Sequence, residues 1–174
     1  MERAMQPSRL RGHTLTEIMV VVAILAVLAG LAFAPASAML DRLRTDQLRL
    51  QLHGALNLAR STALDRRQAV VACPSDDGRT CGDNWGRGWL LLPERWRRAE
   101  APALEPIAAR VLDSHHSLSA FASHGRPQVV FVRRRSAGSN TRIVICQHGQ
   151  MRAEVVVSNT GRVRSLRSTA QAPC

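Results

Sequence analysis

The chain has 174 residues, 24 basic against 13 acidic, and a net charge of +11. Every basic residue is arginine, Tyr is absent, and Phe and Trp number three each, so any core rests on Leu, Val, Ile and Ala. This length holds one ordinary domain plus an appendage and excludes two full ones; the charge suits polyanionic partners (nucleic acid, anionic lipid, acidic protein) or simply a solvated basic surface.

Residues 1–12, MERAMQPSRLRG, are polar and basic. HTLTE follows, and then residues 18–34 run apolar for 17 positions without a charge, near the lower limit for a membrane-spanning helix. Three arginines ahead of this run hold the amino end in the cytoplasm. An ordinary secretory signal, cut near residues 36–38, requires only a basic start and an apolar stretch. A plain signal anchor requires no more. Neither explains Gly12, the polar HTLT stretch and Glu17 directly before the apolar residues.

The stretch RGHTLTEIMVVVAILAVLAGLAF resembles the type IV prepilin family, marked by a glycine before the cut and a glutamate at the fifth mature position. Those positions here are Gly12 and Glu17; the first mature residue is His13, where the family usually has Phe. The resemblance implies cleavage after Gly12 by prepilin peptidase and N-methylation of His13. It also implies a single pass of the bacterial inner membrane with a periplasmic head, and assembly with other pilins or pseudopilins into a filament. The leader carries +2 (Arg3, Arg9 and Arg11 against Glu2), which leaves +9 on the mature chain. An unpaired carboxylate at the centre of an apolar helix costs about 2.5–3.5 kcal/mol on insertion scales. Cleavage creates a cation to offset it, and the resemblance implies that Glu17 of one subunit pairs with the amino terminus of a neighbour.

Residues 38–67 read as the second half of one long helix. Leu48, Leu52, Ala55, Ala59 and Ala63 recur on one face, with Arg42, Arg44, Arg49, Arg60 and Arg66 elsewhere around it. Beyond Arg67 the period shortens. Residues 69–73, 88–92, 108–112, 128–133, 141–146 and 154–158 read as strands separated by Gly, Pro, Asn and Asp. Residues 93–106 have no clear period and are expected as an exposed loop.

Cys73, Cys81, Cys146 and Cys174 are even in number and lack the spacing of zinc ligands. In an exported domain they suggest two disulfides. Of three pairings, Cys73–Cys81 and Cys146–Cys174 are preferred: the first closes a loop of turn formers, and the second ties down the carboxyl terminus.

The head segments ARSTALDRRQAVVACPS, WGRGWLLL, FASHGR and VVVSNTGRVR resemble successive landmarks of the FimT/GspH family of minor pilins and pseudopilins. The fold this implies is α+β, a long N-terminal helix, transmembrane in one half and amphipathic in the other, packed on an antiparallel β-sandwich-like head. The divisions expected are a leader at 1–12, a membrane or filament-core helix at 13–37, an amphipathic helix at 38–67 and a periplasmic head with a basic tail at 68–174.

No catalytic signature is present: there is no G-x-S-x-G, H-E-x-x-H or phosphate-binding loop. His115, His116, His124 and His148 read as scattered surface residues, and Asp76, Asp77, Asp83 and Asn84 depart from calcium-loop spacing. Trp85, Trp89 and Trp96 read as core or loop anchors. No enzyme activity and no cofactor are expected.

Arginine supplies the functional signal. Arg133, Arg134 and Arg135 close one expected strand and Arg142 opens the next; Gly161, Arg162, Val163 and Arg164 follow near the terminus, and then Arg167. Residues two apart in an extended segment share a face about 6.8 Å apart, so Arg162 and Arg164 present parallel guanidiniums that grip phosphates. The GRVR sequence at Gly161, Arg162 and Arg164 resembles the G-R-x-R motif of FimT-type minor pilins. There it implies binding of double-stranded DNA by the carboxyl-terminal region during natural transformation. The other arginines join this expected site on charge alone. The alternative function is a GspH-like minor pseudopilin of a type II secretion system, a structural tip or priming subunit.

Overall fold

The computed structural model describes residues 14–94, 105–113, 117–125, 127–132, 140–168 and 172–174, without the side chains of residues 31–36 and 124. Gly12, His13, Trp96, His115, His116, Arg133, Arg134, Arg135 and most of the expected 93–106 loop lie outside the described residues.

Helix α1 spans Leu15–Asp65. Its first turn is capped by Thr14, whose backbone oxygen accepts from the Glu17 amide at 3.1 Å and whose hydroxyl accepts from the same amide at 3.4 Å. Thr14 and Glu17 stand at capping-box spacing, and an acidic side chain in the first turn is favoured by the helix dipole. Glu17 therefore has a local helical role besides the assembly role expected from the leader. At the other end Arg67, at φ 52°, adopts the left-handed conformation that terminates helices.

The chain divides into two units, at residues 1–40 and 41–174. In the first, apolar residues from Ile18 to Leu28 are exposed. Among the described residues no helix is long and apolar enough to cross a membrane. The expected 13–37 segment runs through residues 31–36, whose side chains lie outside the described residues.

The second unit combines the rest of α1 with two four-stranded antiparallel sheets. The first has the order β3-β2-β1-β5, from β1 (Val70–Pro74), β2 (Gly88–Pro93), β3 (Ala108–Val111) and β5 (Val129–Phe131). The second has the order β4-β6-β7-β8, from β4 (Leu118–Ala122), β6 (Thr141–Gln147), β7 (Gln150–Val157) and β8 (Val163–Arg167). This is the α+β arrangement anticipated from the sequence.

One core joins helix and sheets. All five helix positions expected to be buried are buried, and Leu56 widens the stripe. They meet Val70, Ala72, Trp89, Leu91 and Phe131 from the first sheet and Ala120, Ile143, Ile145, Val155 and Val163 from the second. The opposite helix face leaves Leu43, Leu50, Leu58 and Leu64 exposed. Strands β1 and β2 are apolar throughout because both of their faces are covered: Cys73, Leu90 and Leu92 form a smaller cluster with Cys81 behind the sheet.

The WGRGW segment joins the two sheets. Asn84 Oδ1 accepts from the amides of Gly86 at 2.8 Å and Ala120 at 3.0 Å, and the Trp85 amide donates to the Ala120 carbonyl at 2.8 Å. Gly88 sits at φ +139°, where a Cβ would lie 2.2 Å from the Arg110 carbonyl oxygen; only glycine fits there. Trp85 and Trp89 are buried.

Both disulfides form as preferred, Cys73–Cys81 and Cys146–Cys174. The second holds residues 172–174 along β7, where the Met151 amide donates to Ala172 and the Cys174 amide to Gly149.

The strand expectations need correction in three places, the first being β8, which lies beyond the last expected strand at 154–158 although Arg162 and Arg164 were expected in an extended segment. Strand β4 was not anticipated; LSAFA offers small residues and one phenylalanine, and its pairing with β6 rather than its own composition makes it a strand. Strand β7 starts at Gln150, four residues before the expected boundary. His148 (φ 52°) and Gly149 (φ 74°) make a two-residue hairpin turn, which pairs Gln147 with Gln150.

Candidate nucleic-acid interface

Strand β8 is the edge of the second sheet. The turn before it runs from Ser158 to Arg162: the Gly161 amide donates to the Ser158 carbonyl at 2.8 Å, and the Ser158 amide to the Arg162 carbonyl at 3.1 Å. Gly161 has φ 70°, the left-handed residue that such a three-residue hairpin loop requires. This glycine fixes where the following arginines point.

Along β8 the faces alternate. Val163 is buried, with Ser165 and Arg167 on its side, whereas Arg164 is exposed and faces outward. Arg162, immediately before the strand, is exposed as well. Register places Arg164 beside Val156 on β7, and Arg142 on β6 flanks the same valine from the other side. At about 4.8 Å per strand, Arg142 and Arg164 stand roughly 10 Å apart across the sheet. Along β7 the exposed residue of this face is Arg152, followed by Glu154 and Val156. Arg142, Arg152 and Arg164 thus flank one glutamate on a single sheet face, with Phe121, Val144 and Leu166 in register beside it and Arg162 exposed in the turn just before the strand.

Arg152 is not among the arginines expected at this site: an expected strand starting at Glu154 excludes it, whereas β7 starts at Gln150 and carries it. Its alternation with Glu154 and Val156 was the available signal. Among the described residues, Arg152, Arg162 and Arg164 meet no carboxylate, whereas Arg142 Nε lies 3.3 Å from Glu154 Oε2.

Arg167, expected beside Arg162 and Arg164, lies on the opposite face. Its Nε and Nη2 donate to Asp46 of α1 at 2.8 and 2.6 Å, a bidentate grip. Arg49 bridges the same carboxylate and the Ser165 hydroxyl, at 3.3 and 3.0 Å. The hydrogen bond from Arg167 holds the Asp46 carboxyl below its ordinary range, and the pairing raises Arg167 in turn. Arg167 therefore clamps β8 to the helix. A second clamp lies at Asp41, which accepts from the Gln147 amide group at 3.0 Å and meets His148 Nε2 at 2.9 Å; the His148 hydrogen bond lowers its carboxyl.

Elsewhere, Asp77 accepts from the amides of Arg79 and Thr80 at 2.8 Å inside the Cys73–Cys81 loop, and these bonds hold its carboxyl far down. Among the described residues no group of His, Cys, Asp and Glu could hold a metal ion.

A family model described as "Type II transport protein GspH" matches residues 50–161, well over half of the chain. The chain belongs to the GspH family. A second model, the prokaryotic N-terminal methylation motif, matches residues 7–33 of this GspH-family chain. Its fold is similar to that of the Pseudomonas aeruginosa type IV minor pilin FimU, at 18% identity and TM-score 0.60, covering 75% of this chain and 94% of that one. It is also similar to the Vibrio cholerae minor pseudopilin EpsH of the type 2 secretion system, at 13% identity and TM-score 0.53, covering 73% and 99%. No curated protein matches the chain. The GspH-family chain thus carries an N-terminal methylation motif, and the fold of its head is similar to those of a minor pilin and a minor pseudopilin; the motif fits a membrane-anchored subunit.

Proposed function

We propose that the chain is a minor pilin of a type IV pilus whose head binds double-stranded DNA without sequence preference, in the service of natural transformation. The observation that carries this reading is the outward face of the second sheet, where Arg152, Arg162 and Arg164 meet no carboxylate among the described residues. Guanidiniums spaced along an edge strand suit a phosphate backbone, and phosphate contacts carry no base information.

In the same reading prepilin peptidase cuts after Gly12, His13 is N-methylated, and Glu17 pairs with the amino terminus of a neighbouring subunit. Residues 13–37 anchor the chain in the bacterial inner membrane, and the head lies in the periplasm. The exposed Leu43, Leu50, Leu58 and Leu64 supply apolar area for neighbouring filament subunits.

A direct test titrates residues 41–174 into a short duplex at two salt concentrations. Three phosphate contacts give a salt slope of about −2.7, and affinity in the micromolar range or weaker. Arg133, Arg134 and Arg135 steepen the slope if they join. Replacing Arg162 and Arg164 together by Gln lowers its magnitude by about 1.8. Equal binding by wild type and double variant would defeat the DNA reading. In its place stands the minor pseudopilin of a type II secretion system, which the description of the matching family model favours.

A further inference from the structure

The arginine face contains its own anion. Glu154 sits at the centre of β7, opposite Val144 on one side and Leu166 on the other. Arg142 and Arg164 both flank Val156, so each stands diagonal to Glu154, a separation that long side chains span. Only Arg142 takes up the pairing, at 3.3 Å. The two partners differ in freedom: the Glu154 side chain is 17% exposed and that of Arg142 57%. The carboxylate is held low between apolar neighbours, and the guanidinium lies over it in solvent. An approaching phosphate therefore meets three arginines ready to bind and a fourth already neutralised. Around Arg142 the phosphate also meets the repulsion of Glu154.

Resting on the DNA reading above, we propose that Glu154 is an internal competitor for phosphate, which keeps Arg142 out of the polyanion contact and sets the affinity of the whole face. Exchange of Glu154 for phosphate moves Arg142 rather than Glu154, because the half-buried partner has less room. The glutamate weakens each head's grip and leaves one cation in reserve. The opposing possibility is that the Arg142–Glu154 pair only offsets repulsion among arginines and contributes to the fold.

The experiment uses the whole chain in non-ionic detergent with a duplex of about 20 base pairs, and measures affinity across a salt series. The variants are Glu154→Gln, Arg142→Gln, both together, Arg164→Gln alone, and Arg162→Gln with Arg164→Gln. Released from Glu154, Arg142 adds one phosphate contact: Glu154→Gln tightens binding about threefold or more at low salt and steepens the slope by about 0.9. Adding Arg142→Gln abolishes that gain. Alone, Arg142→Gln costs no more than about twofold, well below the cost of Arg164→Gln. The proposal is overturned if Glu154→Gln changes neither affinity nor slope, or if its gain survives in the double variant, the sign of a diffuse field effect. Should Glu154→Gln fail to fold, Arg142→Gln against Arg164→Gln decides alone, and equal losses overturn the proposal. Failure of these arms while Arg162→Gln with Arg164→Gln still weakens binding refutes the competitor and leaves the DNA reading standing. Absence of binding by every form refutes both.

Discussion

Leu50 and Leu52 are two residues apart on one helix and have opposite environments. Leu52 is fully buried against both sheets, whereas Leu50 is 58% exposed on the far face. Leu52→Ala removes atoms with no route back to water and leaves a cavity, a loss of about 2–5 kcal/mol. For a unit the size of residues 41–174, each kcal/mol lowers the melting midpoint by about 3–4 °C, so the shift expected is about 6–20 °C. Leu50→Ala loses little burial and gains slightly in helix propensity, and is expected within about 0.5 kcal/mol of wild type. Urea and thermal unfolding of the 41–174 head, followed by circular dichroism, measure both. Equal effects of the two substitutions, or a loss below about 1 kcal/mol for Leu52→Ala, would mean that the helix does not share the core of the head. In a filament assay the order reverses: Leu50→Ala is expected to lower incorporation while leaving the isolated head intact.

Two further outcomes follow from the clamps and the tail. Asp46 is held below its ordinary range by Arg167, so the stability it contributes is fully present above the unfolded carboxyl pKa and is lost as pH falls through the lower folded value. Arg167 is raised and stays charged throughout that window, so Asp46→Asn should flatten the acid limb of melting midpoint against pH between about 5 and 2. Cys146→Ser with Cys174→Ser opens a cross-link spanning 28 residues that encloses β7 and β8, with an expected loss of about 3.5 kcal/mol in denaturant unfolding.

Much of this architecture is legible in the residues themselves. The helix face at Leu48, Leu52, Ala55, Ala59 and Ala63 follows from its period, and both disulfides follow from turn chemistry and a terminus that needs tying down. Strand β4 is not legible, because LSAFA becomes a strand only through partners on β6 that are distant in sequence. The arginine face was half visible. Period-two alternation puts Arg162 and Arg164 together, but the same alternation turns Arg167 inward to Asp46, a residue 121 positions away that no local pattern connects with it. Arg152 is not legible at this site, because the start of β7 depends on a His148–Gly149 turn in place of the commoner Asn-Gly or Asp-Gly signals.

The measurement that bears most directly on the filament-subunit reading is the intact mass and amino-terminal sequence of the chain recovered from membranes of producing cells. A mature protein that begins at N-methylated His13, with residues 1–12 removed, is the expected result. A protein beginning near residue 39, or one that keeps its first twelve residues, would contradict it.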